Sequence, residues 1–471
     1  MTPAPSKKYA LFTVFLVVMI DLIGFGIVLP NLAFFASGYG ASAFVIGLLY
    51  SSYSVAQLFF SPIWGALSDR IGRRPVMIVS TLGSALSYFL LGFSNSVGHL
   101  FVSRILAGVM AGNISTAQAY VSDVTTADNR ARGMGLIGAA FGIGFVLGPA
   151  IGAGLARIST SGAFFTQNPH ALVGFFASAL SFASFLLVIF VLPESLDRSA
   201  RDSKAGSDAA RPVKMSVFHL SFWTFVAGRK KGRGLEMTGH STAPTDVPRS
   251  GTRGLETTGH STAPTDVPRS GTRGLETTGH STAPTDVPRS KDRGLPILFF
   301  CMFMATFGQA SIYGAFPIFC KENLGLSPSA VGLQYVLAGL VAVFVQGGMI
   351  RPLVKRFGEK SLFVSGNVVM TVGLALIPLA RSGGAVSAFI GLMALGWSLV
   401  LPTLTSLISK RSDPRFYGAT LGASQALSAL GRAVGPGWGG LLFGWHYTLP
   451  FFLTAALLLT TVAASMRFTD P

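Results

Sequence analysis

Twelve apolar stretches, each long enough to cross a bilayer, constrain this chain more than any other feature of its sequence. A transmembrane helix needs about 20 mainly apolar residues, and six such stretches precede a long polar middle while six follow it. Only 12% of the residues are charged and half are hydrophobic, which excludes an ordinary soluble domain. The sequence therefore predicts an all-α polytopic membrane protein with twelve transmembrane helices.

The predicted spans divide the chain into an N-terminal six-helix bundle (residues 1–194), a linker (195–294) and a C-terminal six-helix bundle (295–471). The first six spans lie near Tyr9–Leu29, Phe44–Leu67, Val76–Phe93, Leu100–Val124, Gly133–Leu155 and Ala171–Leu192. The other six lie near Leu295–Phe319, Ala330–Ile350, Ser361–Leu379, Val386–Ile408, Tyr417–Phe443 and Leu449–Met466.

The distribution of lysine and arginine predicts the orientation of the chain. The loops that follow odd-numbered spans contain only Arg157, Lys321 and Arg381, and Arg104 and Arg432 lie within spans. All other basic residues lie on the opposite side, which the positive-inside rule places in the cytoplasm together with both termini. The formal net charge of +17 thus reflects topology in a lipid bilayer, and no nucleic-acid partner is predicted.

The linker contains a tandem repeat with a period of 20 residues, which starts at Arg233, Arg253 and Arg273 and ends at Asp292. A period near 20 can indicate a solenoid, but these units have no apolar face that could stack. They consist mainly of Pro, Thr, Ser and Gly, so a disordered cytoplasmic linker is predicted.

Glycines recur every fourth residue in the fifth span and again in the eleventh. Residues four apart share one helix face, so such a ladder lets another helix backbone approach closely. The first ladder comprises Gly135, Gly144, Gly148, Pro149 and Gly152, and the second comprises Gly422, Gly431, Gly435, Pro436 and Gly439. Because each half has one copy, we expect the ladders to form a paired packing device at the interface between the halves.

A loop after the second span has a degraded counterpart after the eighth. The sequence GALSDRIGRRP at Gly65–Pro75 corresponds to RPLVKRFGEK at Arg351–Lys360, with Gly72 and Gly358 related by an offset of 286 residues. The glycine ladders, compared through Pro149 and Pro436, have an offset of 287 residues. Two matching offsets indicate a duplicated six-span unit, an arrangement common among secondary transporters.

At these residues the chain resembles the major facilitator superfamily, in particular its twelve-span drug/proton antiporters of the tetracycline-efflux type. The resemblance covers nearly the whole chain outside the repeat. Its further motifs are DLIGFGIVLP at Asp21–Pro30, Arg104 with Gly108, AYVSDVT with RARGMG between Ala119 and Gly135, the GxxxGPxxG ladder, and LPES at Leu192–Ser195. The resemblance implies two six-helix bundles around a central cavity and a rocking type of alternating access.

Two charged residues within spans are the candidates for proton coupling. Asp21 lies about halfway along the first span, where a charge costs roughly 2.5 to 3.5 kcal/mol on insertion scales. It is either a proton carrier or counter-ion for a cationic substrate, or a fixed carboxyl that holds spans together. For Arg104 the resemblance implies a role in proton relay, and the alternative is an arginine that extends to the outer interface.

The loop motif contributes a switching cluster rather than a substrate site, since its residues lie in a short cytoplasmic turn. The resemblance implies that Asp69 lies at a helix N-terminus of the other half, and that Arg73 pairs with Asp123 at the end of the fourth span. This cluster would latch one state of the cycle; the alternative is a loop that only sets topology. The cluster comprises Gly65, Asp69, Arg70, Gly72, Arg73, Arg74 and Asp123. In the second half Lys355 replaces the aspartate, so a one-sided latch is predicted.

Polar residues at helical spacing are the candidates for a substrate cavity. They are Tyr50, Tyr53 and Gln57 on the second span, Asn113 and Gln118 on the fourth, Gln309 and Tyr313 on the seventh, and Gln425, Ser428 and Arg432 on the eleventh. Each could instead serve only as an interhelical hydrogen bond, worth about 0.6 kcal/mol. Arg432 either favours an anionic or zwitterionic substrate or neutralises an acid in the cavity.

These observations predict a monomeric proton-coupled exporter of a small, largely apolar, drug-like compound in the cell membrane. The alternatives are a symporter or uniporter that imports a small polar metabolite, and a membrane scaffold or receptor that does not transport. An enzyme is not predicted, because the sequence contains no metal-ligand cluster, no nucleophile–base pair and no dinucleotide fingerprint. No cofactor or metal is expected.

Overall fold

A computed structural model of the chain describes residues 7–158, 171–195, 294–412 and 417–466. The predicted linker between residues 195 and 294, including all three repeats, lies outside these described residues. The described residues form helices joined by short turns and contain no strand.

Helices of the first half follow the six predicted spans, with one span divided in two. They are α1 (Lys7–Gly38), α2 (Ala43–Ile71), α3 (Arg73–Gly92), α4 (Val97–Met110), α5 (Asn113–Val124), α6 (Ala127–Ile158) and α7 (Ala171–Phe190). The second half repeats the pattern with α8 (Gly294–Leu324), α9 (Pro328–Phe344), a π-helical turn (Val345–Met349), α10 (Ile350–Phe357), α11 (Glu359–Leu376), a 3₁₀ turn (Ile377–Leu379), α12 (Gly383–Lys410), α13 (Tyr417–Trp445) and α14 (Leu449–Ser465).

Ten helical segments in the described ranges are long and apolar enough to cross a membrane. The two remaining helices, α13 and α14, occupy the positions of the predicted eleventh and twelfth spans. The predicted fold class, an all-α polytopic membrane protein of two six-helix bundles, is therefore confirmed.

Matching helix caps at a near-constant offset show that the halves are structural repeats. Ser42 caps α2 and Ser327 caps α9, each by accepting a hydrogen bond from the backbone N–H three residues on. Ser96 and Ser382 do the same for α4 and α12. Such side-chain acceptors satisfy N–H groups that lack a partner within the helix.

Two glycines make equivalent turns in the loop motif and its counterpart. Gly72 separates α2 from α3 with φ 109° and ψ 160°, and Gly358 separates α10 from α11 with φ 79° and ψ 160°. Side chains with a Cβ rarely adopt positive φ. The degraded second loop therefore retains the backbone turn, although most of its side chains differ from those of the first.

The fourth span is broken at Ala111 and Gly112, where a single helix was predicted. The indole Nε1 of Trp64 donates a hydrogen bond of 2.5 Å to the carbonyl oxygen of Val109. That carbonyl would pair with the N–H of Asn113 in an unbroken helix. The side chain of a neighbouring helix therefore replaces a backbone partner, and the break brings Asn113 to the start of α5.

The halves are in contact at one end of the molecule, which we call the closed end. There α1 and α8 end and α2 and α9 begin. The Ser51 Oγ accepts a hydrogen bond of 3.0 Å from the Gly437 N–H, and the Lys321 Nζ donates one of 2.6 Å to the Ser37 Oγ. A single apolar core at this end combines residues of both halves, including Ile27, Leu49, Phe316 and Phe319.

At the opposite end, which carries Gly65–Pro75 and which we call the loop-motif end, the core is divided. One cluster contains only first-half residues such as Val17, Met77 and Tyr120. The other belongs to the second half, joined from the first half by Leu58 among the described buried residues. A Cβ built on Gly65, Gly135, Gly347 or Gly422 would meet no other atom within 4 Å. The halves are thus separated at the loop-motif end.

Candidate functional site

A cavity lies beside Asp21, between the first four spans. It is small, with about 20 Å³ open to the centre of a water molecule, and it opens to the outside. Its lining combines one acid with tyrosines, small residues and an amide: Asp21, Leu22, Phe25, Tyr53, Ser84, Tyr88, Ala107, Ala111, Asn113 and Ile114. The structure therefore brings three of the predicted site residues, Asp21, Tyr53 and Asn113, to one cavity.

Two of these residues have buried polar atoms without a partner among the described residues. The Oδ1 of Asp21 and the Nδ2 of Asn113 are buried and accept or donate no hydrogen bond. A buried polar group without a hydrogen bond costs roughly 1 to 3 kcal/mol. Such a cost is compatible with atoms that bind a proton, water or substrate during function.

Arg104 lies next to this cavity and has no carboxylate partner among the described residues. Its side chain is almost completely buried, and its Nε and Nη2 have no hydrogen-bond partner. The guanidinium carbon lies 5.6 Å from the ring centre of Tyr88 and 5.9 Å from that of Tyr53. The two tyrosines stabilise the cation through their ring faces. Arg104 therefore does not extend to an interface, and it forms no direct ion pair with Asp21.

The second half contributes a polar group on α8 and α13. The Arg432 Nη1 donates a hydrogen bond of 2.8 Å to the Ser428 Oγ. The Gln309 Nε2 lies 3.5 Å from the Tyr313 hydroxyl, and Tyr313 faces Tyr50 across the halves with ring centres 6.3 Å apart. Tyr53 lies within electrostatic reach of Asp21, Arg104 and Arg432. It thus connects the polar groups of the two halves.

Three predicted cavity residues belong neither to the lining of the cavity at Asp21 nor to the polar group on α8 and α13. Gln118 and Gln425 are exposed, and Gln57 is half-buried outside its lining. Helical spacing places each of them on a helix face that also carries other polar residues. It could not place them along the membrane normal relative to Asp21, because that depends on how the helices are packed.

The loop motif forms an ion-pair cluster around Arg73. Its Nη2 lies 2.6 Å from the Asp69 Oδ1, its Nε lies 3.0 Å from the Asp123 Oδ2, and its Nη1 donates to the Ser68 Oγ at 2.6 Å. Arg73 is buried, whereas the Asp69 side chain is 51% exposed. Among the described residues Asp69 pairs with Arg73 of its own half, and no contact with a helix N-terminus of the other half is found there.

Glu194 is a member of this cluster that the sequence analysis missed. Its two carboxylate oxygens accept hydrogen bonds from the backbone N–H groups of Arg73 (2.9 Å) and Arg74 (3.2 Å). A carboxylate at the first turn of a helix pairs with unsatisfied N–H groups and with the positive end of the helix dipole. The signal was present in LPES, an acid directly after the sixth span, but its partner lies about 120 residues earlier in the chain.

The second half also has an ion pair at this end, and it lies within that half. The one-sided latch, expected because Lys355 replaces the aspartate, stays a prediction. Glu359 and Lys410 are 2.9 Å apart, and the Glu359 carboxylate also accepts a hydrogen bond from Ser406. By the repeat offsets, Glu359 corresponds to Arg73 and Lys410 to Asp123. Lys355 corresponds in the same way to Asp69. The charges of the first half are therefore inverted in the second.

The ladder glycines contact the first helix of their own half, which corrects the expectation that they lie between the halves. A Cβ on Gly148 would lie 2.7 Å from the Gly26 Cα, and one on Gly435 would lie 2.7 Å from the Phe307 carbonyl oxygen. The same holds for the other ladder glycines that have close neighbours. Those are Gly144, Gly152, Gly431 and Gly439.

The ladder prolines, together with Ala153 next to the first ladder, make contacts between the halves, as expected for the ladders. The Pro149 carbonyl and Ala153 lie against Gly332 of α9, and the Pro436 carbonyl lies against Gly47 of α2. Each ladder helix therefore packs on two sides. Its glycine face holds its own bundle together, and the adjacent face meets the other bundle.

Comparison with known proteins now decides the family. The model of the Major Facilitator Superfamily matches residues 14–231 and 298–471. The chain belongs to the Major Facilitator Superfamily. The match leaves out residues 232–297, which contain the whole repeat segment, in agreement with the duplicated bundles on either side of it.

Relatives of this superfamily member include a tetracycline resistance protein and a multidrug resistance protein. It is 25% identical to the tetracycline resistance protein, class C, of Escherichia coli over 434 residues, which cover 92% of this chain and 89% of that protein. It is 24% identical to multidrug resistance protein 2 of Bacillus subtilis (strain 168) over 467 residues, which cover 96% and 94%. The resemblance to tetracycline-efflux transporters is therefore confirmed.

Solved structures agree with the superfamily fold. The human organic anion transporter MFSD10 (TETRAN) matches with a TM-score of 0.63 at 23% identity and covers 98% of this chain and 100% of its own. A bacterial homologue of the human lysosomal transporter Spinster, in an inward-facing and occupied conformation, matches with a TM-score of 0.69 at 12% identity, with 98% and 97% covered. Within the described ranges of this superfamily member, no group of three metal-ligating side chains occurs.

Proposed function

We propose that this transporter exports a small, largely apolar compound in exchange for protons, by alternating access, from the cell membrane. The observation that carries the proposal is Asp21, a mid-span carboxyl in a cavity, with one buried oxygen that has no hydrogen-bond partner among the described residues. A carboxyl held in a membrane interior without a fixed partner is suited to binding and releasing a proton.

Arg104 supports this role without neutralising Asp21 directly. No ion pair joins the two residues in the described structure, so Asp21 is free to change its protonation state. Arg104 is held by Tyr53 and Tyr88, which also line the cavity of Asp21. Movement of substrate in this cavity would change the electrostatic environment of both charges. Each proton that crosses inward gains about 2.3 kcal/mol per 100 mV of membrane potential.

The division of the core supports alternating access. The halves share one core at the closed end and are separated at the loop-motif end. We place the loop-motif end in the cytoplasm with both termini, because the basic residues concentrate there. In this state the cavity would receive substrate from inside the cell. We also propose that the transporter works as a monomer, since the two bundles of one chain enclose the pathway.

The names of the relatives support an exported, drug-like substrate. Several are tetracycline or multidrug resistance proteins that align over most of both chains. Import of a polar metabolite and a scaffold that does not transport are the outcomes against which this proposal is tested.

The test uses cells and inside-out vesicles with the wild-type protein, Asp21→Asn and Glu322→Gln. A susceptibility screen over many toxic compounds first identifies one against which the wild type protects. Addition of that compound to energised vesicles should then release protons from the vesicle interior for the wild type and for Glu322→Gln, an exposed acid at the closed end. Asp21→Asn should abolish this signal at an equal membrane level. No protection against any compound, or an unchanged proton signal in Asp21→Asn, would overturn the proposal.

A further inference from the structure

We infer that Arg432 binds an acidic group of the transported compound, so that the substrate is an apolar molecule with one carboxylate or comparable anionic group. This inference rests on the proposed function and names the chemical class of its substrate. It starts from a cation that lies near the middle of the eleventh span and faces the polar residues of both halves.

The guanidinium of Arg432 has most of its hydrogen-bonding capacity unused. A guanidinium has five N–H donors, and in the described structure Arg432 donates one hydrogen bond, to Ser428. No carboxylate lies within 4 Å of it among the described residues, although ion pairs of that length occur at Arg73 and Lys410. The planar guanidinium fork matches a carboxylate in shape and charge.

The charges inside the spans leave Arg432 without a counter-ion. The spans as predicted contain Asp21, Arg104 and Arg432 at depth. Asp21 lines a cavity in the first half, and Arg104 lies next to that cavity against Tyr53 and Tyr88. Arg432 is half-buried, and a second cation at mid-span without a partner is costly in a membrane. An anionic group of the substrate would supply the missing negative charge each time the site is filled.

Residues around Arg432 suit the rest of such a molecule. Tyr53 of α2 and Tyr313 of α8 lie within electrostatic reach of its guanidinium. The Tyr313 ring lies 6.3 Å from the Tyr50 ring of the first half, which adds aromatic surface next to this group. Gln309, which contacts Tyr313, has a buried Oε1 without a partner in the described chain. The subsite therefore combines a cation, aromatic surface and one free acceptor, and it lies on both halves.

The alternative is that Arg432 serves only as a counter-ion of Asp21 when the halves rearrange. The two readings differ in their dependence on substrate charge. A counter-ion of Asp21 would be needed for every substrate, whereas an anion-binding residue would be needed only for acids.

The experiment compares protection of cells against three sets of toxic compounds: carboxylates, their neutral methyl esters, and permanent cations such as tetraphenylphosphonium and ethidium. The wild type should protect against carboxylates and not against permanent cations. Arg432→Gln should lose about tenfold or more of the protection against carboxylates, the loss expected for a hydrogen bond to a charged group. Arg432→Lys should keep part of it, because the positive charge remains.

Every outcome bears on the inference. Equal protection against permanent cations, protection against esters alone, or an Arg432→Gln variant with wild-type protection against carboxylates would overturn it. Equal loss in Arg432→Gln of protection against carboxylates and against any methyl ester that the wild type exports, at a normal membrane level and melting temperature, would favour the counter-ion of Asp21 and overturn the inference. If the wild type protects against no compound at all, the proposed function itself is overturned. That outcome differs from failure of the inference alone, in which the wild type still protects against some compounds.

Discussion

Glu359 and Lys410 form an ion pair of 2.9 Å in the second half, at the positions that Arg73 and Asp123 occupy in the first half at 3.0 Å. The two pairs join equivalent helices at the same end of the molecule with the charges exchanged. Duplication thus preserved the link between the loop and the end of the fourth span of each half, while the sign of each partner was free to change.

A double-mutant cycle should detect the Glu359–Lys410 pair. Because the Lys410 side chain is 55% exposed, we expect a coupling free energy of about 0.5 to 1 kcal/mol between Glu359→Gln and Lys410→Gln. Thermal unfolding of the purified protein measures it. The matched cycle with Arg73→Gln and Asp123→Asn should give a larger value, because Arg73 is buried and has several partners. If the effects of the two single mutations simply added in both cycles, so that neither cycle gave a coupling free energy, this assignment would be contradicted.

Glu194 should stabilise the start of α3. Loss of its carboxylate in Glu194→Ala leaves the N–H groups of Arg73 and Arg74 without this partner, at a cost of about 0.5 to 2 kcal/mol. Glu194→Gln should cost less, since an amide oxygen can still accept a hydrogen bond. Glu322→Gln, which removes the same charge at an exposed site of the closed end, should leave the melting temperature unchanged. A wild-type melting temperature for Glu194→Ala would be evidence against the cap.

The first glycine ladder should tolerate alanine at one end only. A methyl group on Gly148 would overlap the Gly26 Cα, so Gly148→Ala should lower stability by about 1 to 3 kcal/mol. Gly135→Ala is the control, because its methyl group meets no atom within 4 Å and alanine favours a helix. In the second half, Gly435→Ala and Gly422→Ala form the same matched comparison. If both variants of either comparison melted alike, the close packing of that ladder would be excluded.

A covalent link across the closed end should hold the transporter in one state. The Lys321 Nζ and the Ser37 Oγ are 2.6 Å apart, so cysteines at both positions should react with a short, reducible thiol linker. The buried Cys301 and Cys320 are first replaced by alanine. Transport should stop on cross-linking and return on reduction, while Ser37→Cys alone should be unaffected. Full transport by the cross-linked protein would show that the closed end does not open during the cycle.

The repeat segment should be dispensable for transport. Deletion of residues 233–292 leaves both bundles intact, and the segment offers no apolar face for packing. We expect unchanged protection of cells and an unchanged melting temperature. A deletion variant that reaches the membrane but does not transport would show that the repeats do more than connect the bundles.

Much of the fold was predictable from the sequence because membrane burial leaves strong local signals. Twelve apolar stretches, two glycine ladders and a repeated loop were sufficient for the fold class and the duplication. Asp21 and Arg104 were identifiable because a charge within an apolar span is costly wherever the span is packed. The break at Gly112 was not predictable, since it depends on the Trp64 indole of another helix.

The sequence by itself determined which residues lie in the membrane, where the chain is duplicated and which charges are unusual, since these follow from composition and period. Only the tertiary structure decided which groups meet. It brought Glu194 to α3, turned the ladder glycines towards their own halves and left Arg432 without an acidic partner in the described residues. Partners distant in the chain are chosen by helix packing, which no local pattern records.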